Sequence, residues 1–226
     1  MKVAVLFSGG KDSCLALHKV IENGDEVKYL LNIIPSHFDS FMFHKPYLNL
    51  LEKQAEELGI RIIFQESKAE KEEELVDLTN LIKKVEKEVQ GIVVGGIASN
   101  YQGKRVEKIC NERGLKFIAP LWNYTPKKLW GELLDLKFKI ILTKVSCDGL
   151  KKDWLGKIID KVEFEELEKL SKKYKFRLDF EGGEAESAVL WMPKFKKEIK
   201  IKADFDKNII SEGEYRHFFS KVDLFD

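Results

Sequence analysis

The chain has 226 residues, enough for one large domain or for a mid-sized domain with a smaller one. Its composition, 44% apolar and 34% charged, is typical of a folded globular protein and argues against a disordered or a membrane protein. Lysine plus arginine (39) nearly balance aspartate plus glutamate (38), so the chain lacks the overall basic field of a dedicated nucleic-acid binder.

No apolar run approaches the roughly 20 residues that a membrane-spanning helix needs, and the chain does not start with a signal-peptide pattern. We therefore expect a cytoplasmic protein with no membrane partner. The cysteines Cys14, Cys110 and Cys147 lie far apart and have no C-x-x-C partner. This spacing argues against a disulfide framework and against a cysteine-rich zinc site.

Predicted strands and helices alternate along residues 1–145. The strands are predicted at 2–7, 27–34, 60–64, 91–96, 115–120 and 139–145, and the helices at 13–23, 46–58, 70–89, 101–113 and 125–136. Thr125 and Pro126 form an N-cap and first-turn pair that opens the last of these helices. Strict alternation predicts an α/β domain: an open parallel sheet with helices on both faces.

The pattern changes at about residue 146. Two helices are predicted at 150–160 and 164–174, and strands at 176–180, 188–192 and 197–205. We interpret residues 146–226 as a smaller C-terminal α+β domain that binds the substrate.

Three unusual loops follow predicted strands of the first domain. They read SGGKDS (8–13), PSHFDSFMFH (35–44) and GGIASNYQGKR (95–105). Ligands of open parallel sheets bind beyond the carboxyl ends of the strands. The three loops therefore predict one ligand site at that edge.

The first loop has the chemistry of a phosphate site. Gly9 and Gly10 let main-chain amides face phosphate oxygens, and the helix start adds unpaired N–H groups. Asp12 would repel a bare phosphate but suits a magnesium ion. The simpler alternative is a tight turn with Asp12 or Ser13 as the helix cap. We assign the loop to ATP, with the cofactor-binding residues Ser8, Gly9, Gly10, Lys11, Asp12 and Ser13.

S-G-G-x-D-S after an N-terminal strand resembles the PP-loop of ATP pyrophosphatases, whose fold is the adenine nucleotide alpha hydrolase type. The resemblance implies cleavage of ATP between the α- and β-phosphates, transfer of the nucleotidyl group to a substrate oxygen, and displacement of AMP by a nucleophile. It implies Lys11 and Asp12 as catalytic residues, with Asp12 also the ligand of Mg2+. We add Ile33 and Gly96 to the ATP site. Relatives amidate acids, ligate ammonia, thiolate tRNA or modify tRNA cytidine, so this motif alone leaves the substrate open.

Three further stretches resemble the diphthine–ammonia ligase family: DSFMFHKP (39–46), residues 95–122 and EGGEAES (181–187). This resemblance implies that diphthine on translation elongation factor 2 is adenylated and that ammonium then forms the amide, releasing AMP and pyrophosphate. The implied partners are this elongation factor and ammonium, with no nucleic acid; a homodimer is also possible.

The same stretches supply the implied acceptor site. Its substrate residues are Asp39, Ser40, His44, Ser99, Tyr101, Gln102, Glu181, Gly182, Gly183, Glu184 and Glu186. Arg105 is assigned as catalytic because a guanidinium binds a carboxylate through two hydrogen bonds, although it could instead be a surface residue. Residues 39–44 could instead be an ordinary polar loop, and Ser99 or Asn100 could simply cap a helix.

The acidic motif invites a cationic ligand. Glu181, Glu184 and Glu186 surround two glycines, and their mutual repulsion would be offset by the trimethylammonium group of diphthine, by ammonium or by magnesium. Aromatic faces for a quaternary ammonium could come from a set of nearby rings, which could equally pack between domains. These rings belong to Trp122, Tyr124 and Trp191.

The motif also departs from the family pattern. The family motif usually reads E-G-G-E, then an aromatic residue, then E-T. In this chain Ala185 replaces the aromatic residue and Ser187 replaces the threonine. Either the acceptor pocket is wider or the substrate differs. A small carboxylic acid, a tRNA base or a non-catalytic ATP sensor therefore stay as alternatives. A tRNA thiolase would need a cysteine that carries a persulfide. Only Cys147 is a candidate for that role, because it lies in a predicted loop.

Overall fold

The computed structural model describes residues 1–35, 47–67, 73–96, 100–202 and 206–225. The chain forms two compact units. The first comprises Met1–Ser8 and Asp12–Trp122, and the second comprises Gly9–Lys11 and Asn123–Asp226. The three residues Gly9–Lys11 therefore belong with the second unit, although they lie near the start of the chain.

The first unit is built on a parallel sheet. Its strands are β1 (Lys2–Leu6), β2 (Glu26–Pro35), β3 (Arg61–Ser67), β4 (Gly91–Val93) and β5 (Lys116–Ile118), in the order β3-β2-β1-β4-β5. The strand order reverses between β1 and β4, which creates the switch point where such sheets bind ligands. The predicted open parallel sheet is confirmed, and the loop 8–13 leaves β1 at this switch point.

Four helices connect these strands. They are α1 (Lys11–Glu22), α2 (Leu48–Leu58), α3 (Glu73–Lys83) and α4 (Asn100–Glu112). The apolar sides of α3 and α4 bury one cluster against the sheet, which includes Ala4, Leu31, Ile33, Leu78, Leu81, Ile82, Val85, Val89, Ile92, Ile109 and Cys110. Each fully buried leucine or isoleucine contributes about 1.5–3 kcal/mol. The helix predicted to run to residue 89 ends at Lys83, but the turns that follow still bury Val85 and Val89.

The second unit has an antiparallel sheet. Its strands are β6 (Lys139–Ser146), β7 (Ala185–Trp191), β8 (Ile209–Glu212) and β9 (Arg216–Phe219), in the order β7-β6-β9-β8. The prediction that residues 139–145 form a sixth parallel strand is wrong, because β6 is an inner strand of this second sheet. Most of β6 is buried. An apolar run reports burial but does not identify the strand that pairs with it.

The chain divides into its two units at a different point from the predicted domain boundary. The division into compact units falls between residues 122 and 123 of the chain, whereas the predicted domain boundary lay between residues 145 and 146. The helix at 125–136 and β6 therefore go with the second unit.

Two helices complete the second unit, and both begin at a capping side chain. In α5 (Pro126–Asp135), Thr125 accepts the N–H of Lys128 at 3.2 Å and Pro126 occupies the first turn, as predicted. In α6 (Lys161–Tyr174), Asp160 accepts the N–H groups of Val162 and Glu163 at 2.7 and 3.3 Å. Such a cap contributes about 1 kcal/mol to a helix.

Other local predictions for this half of the chain are wrong. Residues 150–160 contain only one 3-10 turn, Lys152–Trp154, and this segment runs along β6 through single bridges. Residues 176–180 form no strand, and a turn occupies residues 178–179. In the described part of 197–205, only Ile201 makes a bridge, to Leu224. The strands β8 and β9 were missed.

Among the helices in the described ranges, none combines the length and the apolar character that crossing a bilayer requires.

Candidate active site

Two serines close the predicted phosphate loop. The N–H of Ser8 donates to Oγ of Ser13 at 3.3 Å, and the two hydroxyl oxygens lie 3.1 Å apart. Ser8 is exposed and Ser13 is buried in the first turn of α1. The pair ties the end of β1 to the start of the helix, whose first N–H groups have no partner within the helix itself.

A glycine that sequence reasoning did not select controls the same turn. A Cβ atom at Gly95 would lie 2.7 Å from the nitrogen of Ser13 and 2.8 Å from the carbonyl carbon of Asp12. The end of β4 therefore approaches the start of α1 so closely that no side chain fits. At Gly96, the glycine that was predicted to bind ATP, a Cβ would meet no described atom within 4 Å. The two consecutive glycines after β4, Gly95 and Gly96, were the feature of the sequence that could have identified this close approach.

The buried side-chain amide of Asn32 binds Phe7, the residue that precedes the phosphate loop. Nδ2 of Asn32 donates to the carbonyl oxygen of Phe7 at 2.8 Å, and Asn32 is 7% exposed. Its Oδ1 atom has no hydrogen-bond partner among the described residues. Sequence reasoning missed Asn32, although one amide inside the apolar run YLLNII was a visible signal. Its neighbour Ile33, predicted to bind ATP, places its side chain in the buried cluster.

The middle of the loop is held by β7. The carbonyl oxygen of Gly9 accepts the N–H of Val189 at 3.0 Å, and the N–H of Lys11 donates to Oγ of Ser187 at 3.2 Å. The side chain of Lys11 is buried, and its Nζ donates to the carbonyl oxygen of Asp179 at 2.6 Å. The loop backbone is thus attached to the strand that begins inside the acidic motif.

The acidic motif folds back on itself. The carboxylate of Glu184 accepts the N–H of Gly182 at 2.9 Å and the N–H of Arg177 at 3.1 Å. A Cβ at Gly182 would lie 2.6 Å from that carboxylate, and Gly183 has a φ of +84°. Gly183 is needed for this turn because few other residues adopt a positive φ, whereas a side chain at Gly182 would displace the carboxylate of Glu184.

The three acids of the motif have different surroundings. Glu181 is exposed, Glu184 is bound by amides, and Glu186 pairs with Nζ of Lys144 at 2.8 Å. Part of the repulsion that suggested an external cation is thus offset within the protein. Ala185 is buried opposite Val145 of β6.

A buried carboxylate lies just before the motif. Asp179 is 2% exposed and accepts Nε and Nη2 of Arg177 at 2.9 and 2.6 Å. It also accepts the N–H of Glu181 at 3.2 Å. Hydrogen bonding to this carboxylate raises the pKa of Arg177. Sequence reasoning missed both residues because the segment was interpreted as a strand.

The remaining predicted residues are only partly described. Arg105 is half-buried on α4, and α4 also carries Tyr101 and Gln102, whose side chains lie outside the described part of the chain. Four other predicted substrate residues lie wholly outside it: Asp39, Ser40, His44 and Ser99.

Two of the three candidate aromatic rings, those of Trp122 and Tyr124, have partners within the protein. The Trp122 ring lies within 3.1 to 3.2 Å of where a Cβ of Gly103 would stand, so it packs on α4. Nζ of Lys128 lies 3.9 Å from the centre of the Tyr124 ring. These contacts favour packing for Trp122 and a cation–π contact with the protein's own lysine for Tyr124.

Known sequences match both units. The N-terminal domain of diphthamide synthase matches residues 1–117, and its C-terminal domain matches residues 125–222. The diphthine–ammonia ligase of Bos taurus is 34% identical over 223 residues, covering 89% of this chain and 83% of that protein. The chain belongs to the diphthine–ammonia ligase family. The family predicted from the sequence motifs is confirmed.

Two further similarities cover most of this chain. The diphthine–ammonia ligase of Schizosaccharomyces pombe is 34% identical over 240 residues, which are 98% of this chain and 39% of that protein. A solved structure described as a predicted subunit of tRNA methyltransferase from Methanocaldococcus jannaschii is 19% identical, with a TM-score of 0.45 over 88% of this chain and 100% of that chain.

A magnesium site in this family member would rest on few protein ligands. In the described residues, no three histidine, cysteine, aspartate or glutamate side chains gather as a metal cluster. Mg2+ bound with a nucleotide keeps several waters and takes one or two carboxylates plus phosphate oxygens. Asp12, a half-buried acid in the first turn of α1, fits that donor chemistry.

The cysteines are poorly suited to sulfur transfer. Burial raises the pKa of the Cys110 thiol to about 11. Burial, together with the negative charges of Glu184 and Asp148, raises the pKa of Cys147 to about 11. Cys14 is fully buried, which also raises its pKa. Because the thiolate is the nucleophile, these values count against tRNA thiolation.

Cys147 is therefore expected to react slowly with iodoacetamide. With a pKa of about 11, its labelling rate should rise about tenfold per pH unit from pH 7 to pH 10, since the thiolate fraction rises in that way below the pKa. Mass spectrometry of the peptide that contains Cys147 gives the rate, and Cys147→Ser supplies the background. A rate that levels off near pH 8.5, the range of an ordinary thiol, would contradict the raised pKa.

Proposed function

We propose that this protein is an ATP-dependent diphthine–ammonia ligase. The proposed reaction amidates the carboxylate of diphthine on translation elongation factor 2 with ammonium and releases AMP and pyrophosphate. The observation that carries the proposal is 34% identity to a diphthine–ammonia ligase over 89% of the chain. The attachment of the phosphate loop to β7 supports it, because β7 begins within the acidic motif.

The loop and the start of α1 would bind the triphosphate of ATP. The close approach at Gly95 keeps the first amides of α1 at the carboxyl edge of the sheet, where a helix start attracts phosphate. Asp12 would hold Mg2+, which neutralises phosphate charge when bound. Lys11 carries positive charge within the same loop and would stabilise the departing pyrophosphate.

Two displacements would complete the reaction. A carboxylate oxygen of diphthine attacks the α-phosphorus, and the bond to pyrophosphate breaks, giving an acyl-adenylate. The nitrogen of ammonia then attacks the acyl carbon, the bond to AMP breaks, and the nitrogen loses a proton. Activation is needed because a carboxylate oxygen is a poor leaving group. Arg105 would orient the carboxylate, and no covalent bond to the protein is required.

The acidic motif would contribute on the acceptor side. Glu181 is the most exposed of its three acids and suits ammonium or the trimethylammonium group of diphthine. Glu184 shapes the turn through its two amide contacts. We place the reaction in the cytoplasm, with the elongation factor as the protein partner. The predicted homodimer stays a prediction.

Incubation with ATP, nitrogen-15 ammonium and diphthine-bearing elongation factor 2 tests this function. We expect AMP, pyrophosphate and a nitrogen-15 amide on the modified histidine, measured by chromatography and by mass spectrometry. Elongation factor that lacks the modification is the matched control and should yield no AMP. ADP as the product, or AMP formation that does not depend on ammonium, would contradict the proposal.

A small carboxylic acid is the second candidate, and Ala185 is the observation that favours it. The family motif noted in the sequence usually has an aromatic residue at the position where this chain has a buried alanine on β7. AMP formation with small acids, and none with the elongation factor, would select this alternative.

A further inference from the structure

The side chain of Lys11 points toward the segment that leads into the acidic motif. Its Nζ donates to the carbonyl oxygen of Asp179 at 2.6 Å and lies 5.2 Å from the centre of the Phe180 ring. Lys11 is 2% exposed, so this contact is shielded from water. A shielded hydrogen bond from an ammonium group is stronger than an exposed one.

The carboxylate of Asp179 organises the other side of this contact. It accepts two hydrogen bonds from the Arg177 guanidinium and one from the N–H of Glu181. The Asp179 side chain is 1% exposed, whereas that of Arg177 is 54% exposed. A buried carboxylate is costly without a partner, and the Arg177 guanidinium supplies that partner here.

The backbone between these groups is held in an unusual conformation. Phe180 has a φ of +64°, which a bulky residue rarely adopts. Such a conformation persists only where the surroundings enforce it. Here the enforcing contacts include Nε1 of Trp130, which donates to the carbonyl oxygen of Leu178 at 2.7 Å, and the Trp130 ring, which meets Phe180 edge-on.

We propose that Asp179 is a positioning residue that holds the phosphate loop and the acidic motif in one arrangement. Its carbonyl oxygen fixes Lys11, and its carboxylate, neutralised by Arg177, fixes the start of the motif at Glu181. This inference rests on the proposed function, since it assigns the loop to ATP. It implies that Lys11 and Arg177 influence ATP binding through the same contact.

A double-mutant cycle in ATP affinity tests that implication. The variants are Lys11→Met, Arg177→Gln and the double variant, each titrated with magnesium and ATP without acceptor. We expect each single change to weaken ATP binding about tenfold and the double variant to bind within about threefold of the weaker single variant, because coupled residues are not additive. Arg113→Gln, which breaks a partly buried ion pair with Glu86, is the matched control and should bind ATP like the wild type.

Two results of this experiment would contradict the proposal. An approximately hundredfold loss in the double variant would mean independent effects and would overturn the proposal. Unchanged ATP affinity in folded Arg177→Gln, with only a lower unfolding temperature, would reduce Arg177 to a structural role and would also overturn it. If Arg177→Gln does not fold, Arg177→Lys keeps the charge, loses the two-bond geometry and takes its place in the cycle. Because these titrations contain no acceptor, AMP formation by the wild type judges the proposed function separately.

Discussion

Gly95→Ala is expected to lower ATP turnover by about 100-fold or more. The added Cβ would lie 2.7 to 2.8 Å from main-chain atoms of Asp12 and Ser13. These are backbone atoms, so no flexible side chain can move aside. The start of α1 must shift, and the amides assigned to the phosphates shift with it. Steady-state AMP formation measures the loss, and thermal unfolding should show a cost of about 1–3 kcal/mol.

Gly131→Ala is the matched control for that change. Gly131 lies within α5, and a Cβ there would meet no described atom within 4 Å. Alanine is a better helix former than glycine, so we expect a gain of about 0.5–1 kcal/mol and unchanged turnover. If Gly95→Ala turned over ATP like the wild type, the close approach of β4 to α1 would have no part in nucleotide binding.

Asp12→Asn is expected to lower AMP formation by about 100-fold while the protein stays folded. The change keeps the shape of the side chain but removes the negative charge that we assign to Mg2+. Electrostatic help from a metal ion is worth several kcal/mol in the transition state, and each 1.4 kcal/mol is about tenfold. Raising the magnesium concentration should restore part of the rate. AMP formation measured across a magnesium titration gives both quantities.

Glu163→Gln separates this effect from a general effect of charge at a helix start. Glu163 also lies in the first turn of its helix, α6, so both substitutions remove a favourable contact with the helix dipole. We expect Glu163→Gln to leave AMP formation and its magnesium dependence unchanged. If Asp12→Asn behaved in the same way, Asp12 would act only at the start of its helix and the metal assignment would be lost.

The acidic motif shows how far a local pattern can be interpreted. Its two glycines and three acids correctly marked an unusual segment, and repulsion among the acids suggested an external cation. In the fold, Glu184 is bound by main-chain amides and Glu186 by Lys144, which is 42 residues away along the chain. The composition of the motif was visible in the sequence, but the partners that offset its charge were not.

Three of the missed residues, Gly95, Asn32 and Asp179, share one property: each makes a contact with a residue far away along the chain. Gly95 matters because α1 begins against it, and Asn32 because Phe7 ends β1 beside it. Asp179 is the extreme case, since the lysine that it holds is 168 residues away. Residue type alone does not distinguish these positions from an ordinary glycine, amide or acid.

Local chemistry was enough for the features that depend on it. Alternating apolar runs and helical faces predicted the parallel sheet of the first unit, and Thr125 with Pro126 predicted the start of α5. The motifs SGGKDS and EGGEAES predicted the family that the comparisons confirmed. These signals are local because hydrogen bonding within a helix, capping and side-chain periodicity involve residues close in sequence.

Only the tertiary structure decided which sheet β6 joins and where Lys11 points. The apolar run at 139–145 fits a buried strand of either sheet, because burial does not specify the neighbouring strand. By sequence alone the Lys11 ammonium could have faced phosphate or solvent. In the fold it donates a hydrogen bond to the carbonyl oxygen of Asp179, the residue before Phe180 with its positive φ. Strand pairing and buried polar contacts depend on segments that meet only when the chain has folded.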